Sequence, residues 1–305
     1  MKTTLYTLLF LLCFSCKDKD QKSIAISQEP DNIKATETKL QFLSKKFKDY
    51  WYDGTAEITS YKLEQARYGE LREGTAVLVF VTEPFDNKLQ VKADYPNTSN
   101  IPVLKLNSTK NFNTGVYPYS IMQSTFYPVS NDQHAIKVSS SIQEWCGQVY
   151  AQLNNRDQFE FTSHSYFQSE ADQNIKLDKT ILENELWNQL RINPSSLPVG
   201  ELEIIPSLEF LRLKHVPIKP YKAYVTLNKG TYTINYRDLE RSLTINFDVQ
   251  FPYTIESWEE TSKSGFGSNL KTLTSKATRL ERIKSAYWNK NSNSDQGLRT
   301  TLKLQ

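Results

Sequence analysis

The chain has 305 residues, room for one large domain or two ordinary ones. Apolar residues make up 38 % and aromatics 12 %, which excludes a wholly disordered chain, since such chains are poor in aromatics. Ten glycines exclude collagen-like and Gly-rich classes, and a net charge of +3 is too slight a basic excess to argue for nucleic acid as a partner.

Met1-Lys2-Thr3-Thr4 carries one positive charge, and Leu5 to Phe14 is apolar apart from Thr7. That length suits the core of a signal peptide and falls short of the roughly 20 residues a spanning helix needs. Ser15-Cys16 follows, then the charged run Lys17-Asp18-Lys19-Asp20. A small residue before a cysteine at the end of such a core resembles the lipobox of bacterial lipoproteins, with Cys13 where that motif usually has leucine. The resemblance implies that residues 1–15 leave as a signal peptide and that Cys16 becomes the lipid-modified first residue. The alternative is an ordinary cleaved signal with an incidental cysteine.

Residues 16–36 read as a disordered tether, polar and charged with a single Pro30 and no aromatic residue. Lys17 points to the outer rather than the inner membrane. The Lys-Asp-Lys-Asp run resembles the tags that send lipoproteins to the surface of some Gram-negative cells, so periplasmic and surface-exposed positions both stay open. Covalent lipid gives membrane attachment without a spanning helix, and no later stretch reaches 18 apolar residues. Cys146 is then alone in the mature chain, so no internal disulfide forms and the core alone must hold the fold.

Leu40, Leu43, Phe47, Tyr50 and Trp51 fall at helical spacing, which predicts an amphipathic helix over Lys39–Trp51, ended by Asp53-Gly54 and laid against a sheet. Strands dominate beyond it. Thr55–Arg67 and Thr75–Thr82 suggest a hairpin, and Ala76–Val81, apolar on both faces, belongs at the centre of the sheet. Further strands are expected at Ile101–Leu106, Tyr119–Tyr127, Ala135–Ile142, Gln143–Leu153 and Gln158–Phe167. Ile181, Leu182, Leu186 and Leu190 make a helical stripe over Leu177–Leu190, capped by Asp178 and stopped at Asn193-Pro194.

Pro194, Pro198 and Gly200 mark a junction between a β-rich half at 37–195, which holds the N-terminal helix, and a second at 196–305. In the latter, Tyr232, Ile234 and Tyr236, and then Leu243, Ile245, Phe247, Val249 and Phe251, alternate with polar residues. That is the period of an antiparallel sheet with one wet face. Leu270–Arg282 fits a strand or a helix, and Arg299–Leu304 reads as a closing strand. The fold expected is mainly β: a large curved antiparallel sheet or partly open barrel, with a packed N-terminal helix and one or two further helices.

Enzyme motifs are missing. There is no phosphate-binding Gly-rich loop, Gly265-Phe266-Gly267 lacks the third glycine of a dinucleotide fingerprint, and no G-x-S-x-G appears. His134, His164 and His215 are too far apart for a paired zinc motif. No metal and no cofactor is expected.

One constellation rests on register. A three-residue loop at Asn154–Arg156 would set Leu153 opposite Asp157, gather Trp145, Val149, Phe159 and Phe161 on one apolar face, and put Cys146 opposite His164. A thiol beside an imidazole is the minimum for a nucleophilic cysteine. The plainer reading is a half-buried thiol packed on a histidine. The aromatic stretch from Tyr117 to Pro128 could bind sugar or lipid, but strand aromatics more often fill a core.

Tyr50-Trp51-Tyr52-Asp53-Gly54, Ala66-Arg67-Tyr68-Gly69-Glu70 and Ser139 to Gly147 resemble an uncharacterised family of envelope lipoproteins from Flavobacteria-like bacteria. Some members bear the label "septum formation inhibitor Maf". This chain has no Arg-Arg pair of the Maf phosphate motif and reads as β-rich, so the resemblance implies a location and no mechanism. Two functions follow. The first is a lipid-anchored outer-membrane protein whose folded part is a non-catalytic module, binding a hydrophobic small molecule or an envelope protein. The second is a secreted hydrolase using Cys146 and His164 or a carboxylate pair.

Overall fold

The computed structural model describes residues 43–130 and 134–304. The signal segment, Cys16, the tether and the first residues of the expected N-terminal helix lie outside the described residues. The helix α1 covers Lys45–Trp51, with Ser44 as its cap: the Ser44 hydroxyl accepts from the Phe47 amide at 3.1 Å. Strands β1 (Ala56–Arg67), β2 (Glu70–Asp86), the short β3 (Val91–Lys92), β4 (Asn100–Thr114), β5 (Tyr117–Pro128), β6 (Lys137–Glu144), β7 (Gly147–Asn155), β8 (Phe159–Ser165) and β9 (Gln173–Leu177) follow. After β10 (Ile181–Leu182) come α2 (Glu183–Ile192), β11 (Gly200–Ile205) and α3 (Leu208–Lys214). The chain ends with β12 (Tyr221–Asn228), β13 (Thr231–Tyr236), β14 (Arg241–Phe247), β15 (Ile255–Ser264), β16 (Lys271–Ser285) and α4 (Gly297–Thr301).

All sixteen strands belong to one sheet. Its path runs β10-β11-β12-β13-β14-β15-β16-β1-β2-β4-β5-β6-β7-β8-β9, with β3 beside β2. Every pairing is antiparallel except β10 with β11. The segments before and after residue 195 are thus joined twice, through β16 with β1 and through β10 with β11. Residues 178–180 alone separate β9 from β10, the two ends of the path. Four trans Cα steps bring those ends within about 15 Å of each other. The sheet therefore curls into a partly open barrel, as the sequence predicts.

The interior is filled by helices. Eight of the ten residues of α2 are buried, and they touch strands far apart along the path. Arg191 reaches Glu57 on β1, Asn188 donates to the Leu104 carbonyl on β4 at 2.7 Å, and Asn184 donates to Gln123 on β5 at 3.0 Å. Glu183 meets Tyr236 and Arg241, on β13 and β14. α1 seals the interior beside β2, where the Trp51 ring lies 6.1 Å from Phe80 and the Thr82 hydroxyl donates to the Trp51 carbonyl.

The doubly apolar run Ala76–Val81 is explained by cover on both faces. Ala76, Leu78 and Phe80 join the main core with Trp51, whereas Val77, Val79 and Val81 pack outside against Leu302 and Leu304. Arg299–Leu304 is consequently no strand: Leu302 buries itself on the convex face, and the residues before it form α4. Leu270–Arg282 resolves as strand β16.

Three other segments differ from expectation. The alternation expected through Val249 and Phe251 stops with β14 at Phe247, and Val249 is exposed. The helix expected over Leu177–Leu190 starts at Glu183, because Gln173–Leu177 pairs with β8 and Ile181–Leu182 with β11. The expected strand Gln143–Leu153 is split by a tight turn at Trp145-Cys146, where the Glu144 carboxylate accepts from the Cys146 amide at 2.7 Å. Gly147 permits this turn. A Cβ there would sit 2.5 Å from the Tyr166 ring.

Candidate functional site

The Cys146–His164 pairing is not formed. Across β7 and β8, Val149 faces Ser165, Tyr150 faces His164 and Leu153 faces Phe161, with the loop centred on Asp157. The loop has moved two residues along the chain. Such a move preserves the parity of every side chain, so Val149, Ala151, Leu153, Phe159 and Phe161 keep the apolar face while each partner changes. Trp145 leaves that face for the turn and is 69 % exposed. Cys146 is exposed too, and its hydrogen bond to Glu144 and that carboxylate's charge push the thiol up, away from the thiolate a nucleophile needs. The His164 imidazole turns to Asp172, at 3.3 Å and largely in solvent.

Besides the Arg191–Glu57 pair, two sets of charged residues line cavities of the barrel. The first surrounds a polar cavity of about 40 Å³ between α2, α3 and the strands β4, β5 and β14. Arg241 grips Glu183 with both terminal nitrogens and donates from Nε to Glu260 at 3.0 Å. Lys110 Nζ donates to Glu209 at 2.8 Å, and Gln123 donates to the other Glu209 oxygen at 3.0 Å. Burial pushes the Glu260 carboxyl up, but Arg241 and Lys110 outweigh it and hold the group below its ordinary range. All three carboxylates here are engaged by cations, so none stands ready as a general acid or base. The space suits a few water molecules at most.

The second set lines a cleft at the end of the barrel where α3 finishes. Its upper lobe, about 220 Å³, is lined by Arg67 and Tyr68 at the β1–β2 turn, Tyr119 on β5, Glu144 on β6, Phe167 after β8 and Arg212 on α3. The lower lobe, about 280 Å³, shares Val149, Arg212 and His215 with the upper one. It runs between α3 and β7–β9 and is walled largely by apolar side chains, among them Ala151, Phe161, Ile175 and Leu211. Together the lobes fall in the size range of small-molecule sites. Two larger depressions, about 810 Å³ beside Tyr95 and about 870 Å³ beside Tyr224, lie more open on the surface.

Arg67 is held by neutral groups. It donates to the Leu213 carbonyl at 2.8 Å and to the hydroxyls of Tyr119 at 3.1 Å and Tyr68 at 3.2 Å. Its guanidinium lies 4.3 Å above the Tyr68 ring, a favourable stacking distance. Arg212 lies 4.4 Å over Phe167, donates to Glu170 at 3.2 Å, and shares that carboxylate with the His215 imidazole, 2.7 Å away. Both Nε atoms are buried and meet no hydrogen-bond partner among the described residues. Burial pulls the Arg212 guanidinium below its ordinary range, and the like charge of Arg67 adds to this against the pull of Glu170.

Periodicity in the sequence points to none of this. Arg67 and Tyr68 stand at the end of β1, where nothing local assigns them a role. The seven-residue α3, which brings Arg212, is too short to stand out. Of the expected aromatic stretch, Tyr119 and Tyr127 are buried as core residues, and Tyr119 also lends its hydroxyl to the cleft.

No protein-family model matches the chain, and no curated protein does. A beta-barrel-like protein with a domain of unknown function from Brucella abortus is similar to it at 8 % identity and a TM-score of 0.43, over 75 % of this chain and 97 % of that one. A porin-like protein from Bacteroides uniformis shares 9 % identity at a TM-score of 0.20, over 73 % and 95 %. At such values neither likeness speaks to function.

Proposed function

We propose that this chain is a lipid-anchored protein of the outer membrane whose folded part is a non-catalytic module, binding a hydrophobic small molecule in the cleft between α3 and β5–β9. The observation that carries the binding reading is the cleft itself. A largely apolar lobe adjoins a lobe lined by two arginines, and the two share Val149, Arg212 and His215. The dispersed Cys146 and His164, and the cation-bound carboxylates of the polar cavity, lend the hydrolase reading no support. The anchor rests on the lipobox-like Ser15-Cys16, and the location on Lys17 and on the resemblance to envelope lipoproteins.

Each half has its own test. Cys16→Ala should shift the protein from the detergent phase to the aqueous phase, or leave it unprocessed. Acyl-dependent membrane partitioning of that variant refutes the anchor. For the module, a fluorescent apolar probe such as N-phenyl-1-naphthylamine should light up on binding. Ala151→Trp, which fills the lower lobe, should abolish the signal; an undiminished signal moves the ligand site elsewhere.

A further inference from the structure

Of the two arginines in the cleft, Arg212 has a carboxylate partner, Glu170, and Arg67 has none among the described residues. Three neutral acceptors satisfy part of the Arg67 fork, and none of them offsets its charge. Arg67 is half-buried, and a cation partly withdrawn from water is usually paired in folded proteins. Here the charge is also fixed in place. The Tyr68 and Tyr119 rings flank the guanidinium at 4.3 and 5.2 Å, and the Leu213 carbonyl ties it to the end of α3.

We propose that the cleft binds a single-chain anionic amphiphile, with its carboxylate or phosphate head between Arg67 and Arg212 and its hydrocarbon tail in the lower lobe. The proposal rests on the reading of this cleft as the binding site and specifies the ligand's chemistry. Guanidinium forks match the oxygens of carboxylate and phosphate in a bidentate manner, and both arginines line the upper lobe. The two acidic groups nearby do not take the head's place at Arg67. Glu170 is shared between Arg212 and His215, and Glu144 accepts from the Cys146 amide at the rim.

The tail has its own container. The lower lobe shares Val149, Arg212 and His215 with the head lobe, so the two cavities adjoin. Hydrophobic burial there strengthens binding about fourfold per methylene. An apolar rim stands at the same end of the barrel. Phe266, which lines the head lobe, and Tyr166, packed on Gly147, are 70 % and 68 % exposed.

The test is a displacement titration on the full chain carrying Cys16→Ala, with N-phenyl-1-naphthylamine as reporter and dodecanoate, dodecyl phosphate and monododecanoyl glycerol as competitors. At least one anionic competitor should bind about tenfold or more tighter than the neutral glyceride. The order of the two anions identifies the head as carboxylate or phosphate. Raising the salt should weaken the anions and leave the glyceride unchanged, a reading that needs no further variant. Arg67→Gln should erase the preference while retaining reporter binding, and Arg67→Lys, which keeps charge but loses the fork, should fall between. If the glyceride binds as tightly as both anions, or the preference survives Arg67→Gln, the head assignment is overturned and the binding module stands. If no competitor displaces the reporter, or the reporter never binds, both readings fail.

Discussion

Replacing Arg191 by methionine should destabilise the protein more than almost any other single change. Arg191 is 1 % exposed and Glu57 fully buried; the two form a bidentate pair at 2.7 and 2.8 Å between the central helix and β1. Arg191 Nε also donates to the Pro252 carbonyl at 2.9 Å, and the guanidinium lies 4.6 Å from the Phe80 ring centre. Removing one partner of a buried pair strands the other charge, at about 3–5 kcal/mol. Arg282, 3.7 Å from Glu57, and the Tyr50 hydroxyl relieve part of that cost, so the expected loss is about 3–4 kcal/mol.

With a urea m-value of roughly 3 kcal/mol/M, the unfolding midpoint should fall by about 1 M. The double variant Glu57→Met/Arg191→Met strands no charge. It should lose only about 1–2 kcal/mol, for the unpaired Pro252 carbonyl and Tyr50 hydroxyl. The gap between the wild type and Arg191→Met should also narrow in acid. Burial pushes the Glu57 carboxyl up, but Arg191 outweighs it and the native group sits below its ordinary value. The stabilisation is therefore complete above the unfolded carboxyl range, near pH 4.3, and is lost as the pH falls through the native value. A loss below about 1 kcal/mol for Arg191→Met, or a double variant no more stable than the single, would refute the stranded-charge account.

Other expectations are briefer. Gly74→Ala would put a Cβ 2.2 Å from the Asn111 carbonyl oxygen and 2.8 Å from the Phe112 Cβ, and should lower stability by roughly 1–3 kcal/mol in thermal melts. Unchanged melting would mean that β2 and β4 are not so closely apposed. Cys146 should be alkylated more slowly at neutral pH than a simple thiol, with the rate rising above the ordinary thiol range. Glu144→Gln should speed the reaction and His164→Ala leave it unaltered; dependence on His164 would contradict the observed register. His164→Ala should also change stability by less than about 0.5 kcal/mol, because its contact with Asp172 is solvent-exposed.

What could be read from the sequence follows from what each pattern encodes. Period-2 alternation reports which face a residue occupies, so Tyr232, Ile234 and Tyr236 and the Val149–Leu153 face come out buried as expected. It says nothing about register in steps of two, and the hairpin at Asp157 therefore kept its faces while separating Cys146 from His164. Segment type fails where partner and pattern disagree. Arg299–Leu304 has a strand-like composition but meets a convex face already fully paired, so only Leu302 can be buried there.

The interior was the least legible part, for a related reason. A helix inside a barrel is surrounded by wall, so its polar side must also be buried. Glu183, Glu185, Asn188 and Arg191 look like a solvated helix face in the sequence, and each instead finds a partner on the fold. Those partners are far away along the chain: Glu57 for Arg191, Arg241 for Glu183, Leu104 for Asn188. No local pattern can announce them. Satisfied pairs of this kind account for nearly every ionic group the barrel encloses, and that is why Arg67 stands out. Where the buried Arg191 and Arg241 each bind a carboxylate, half-buried Arg67 is given two phenols and a carbonyl in a lobe that adjoins an apolar one. A fold that pairs its buried guanidiniums so thoroughly leaves this one to be paired by something that enters from outside.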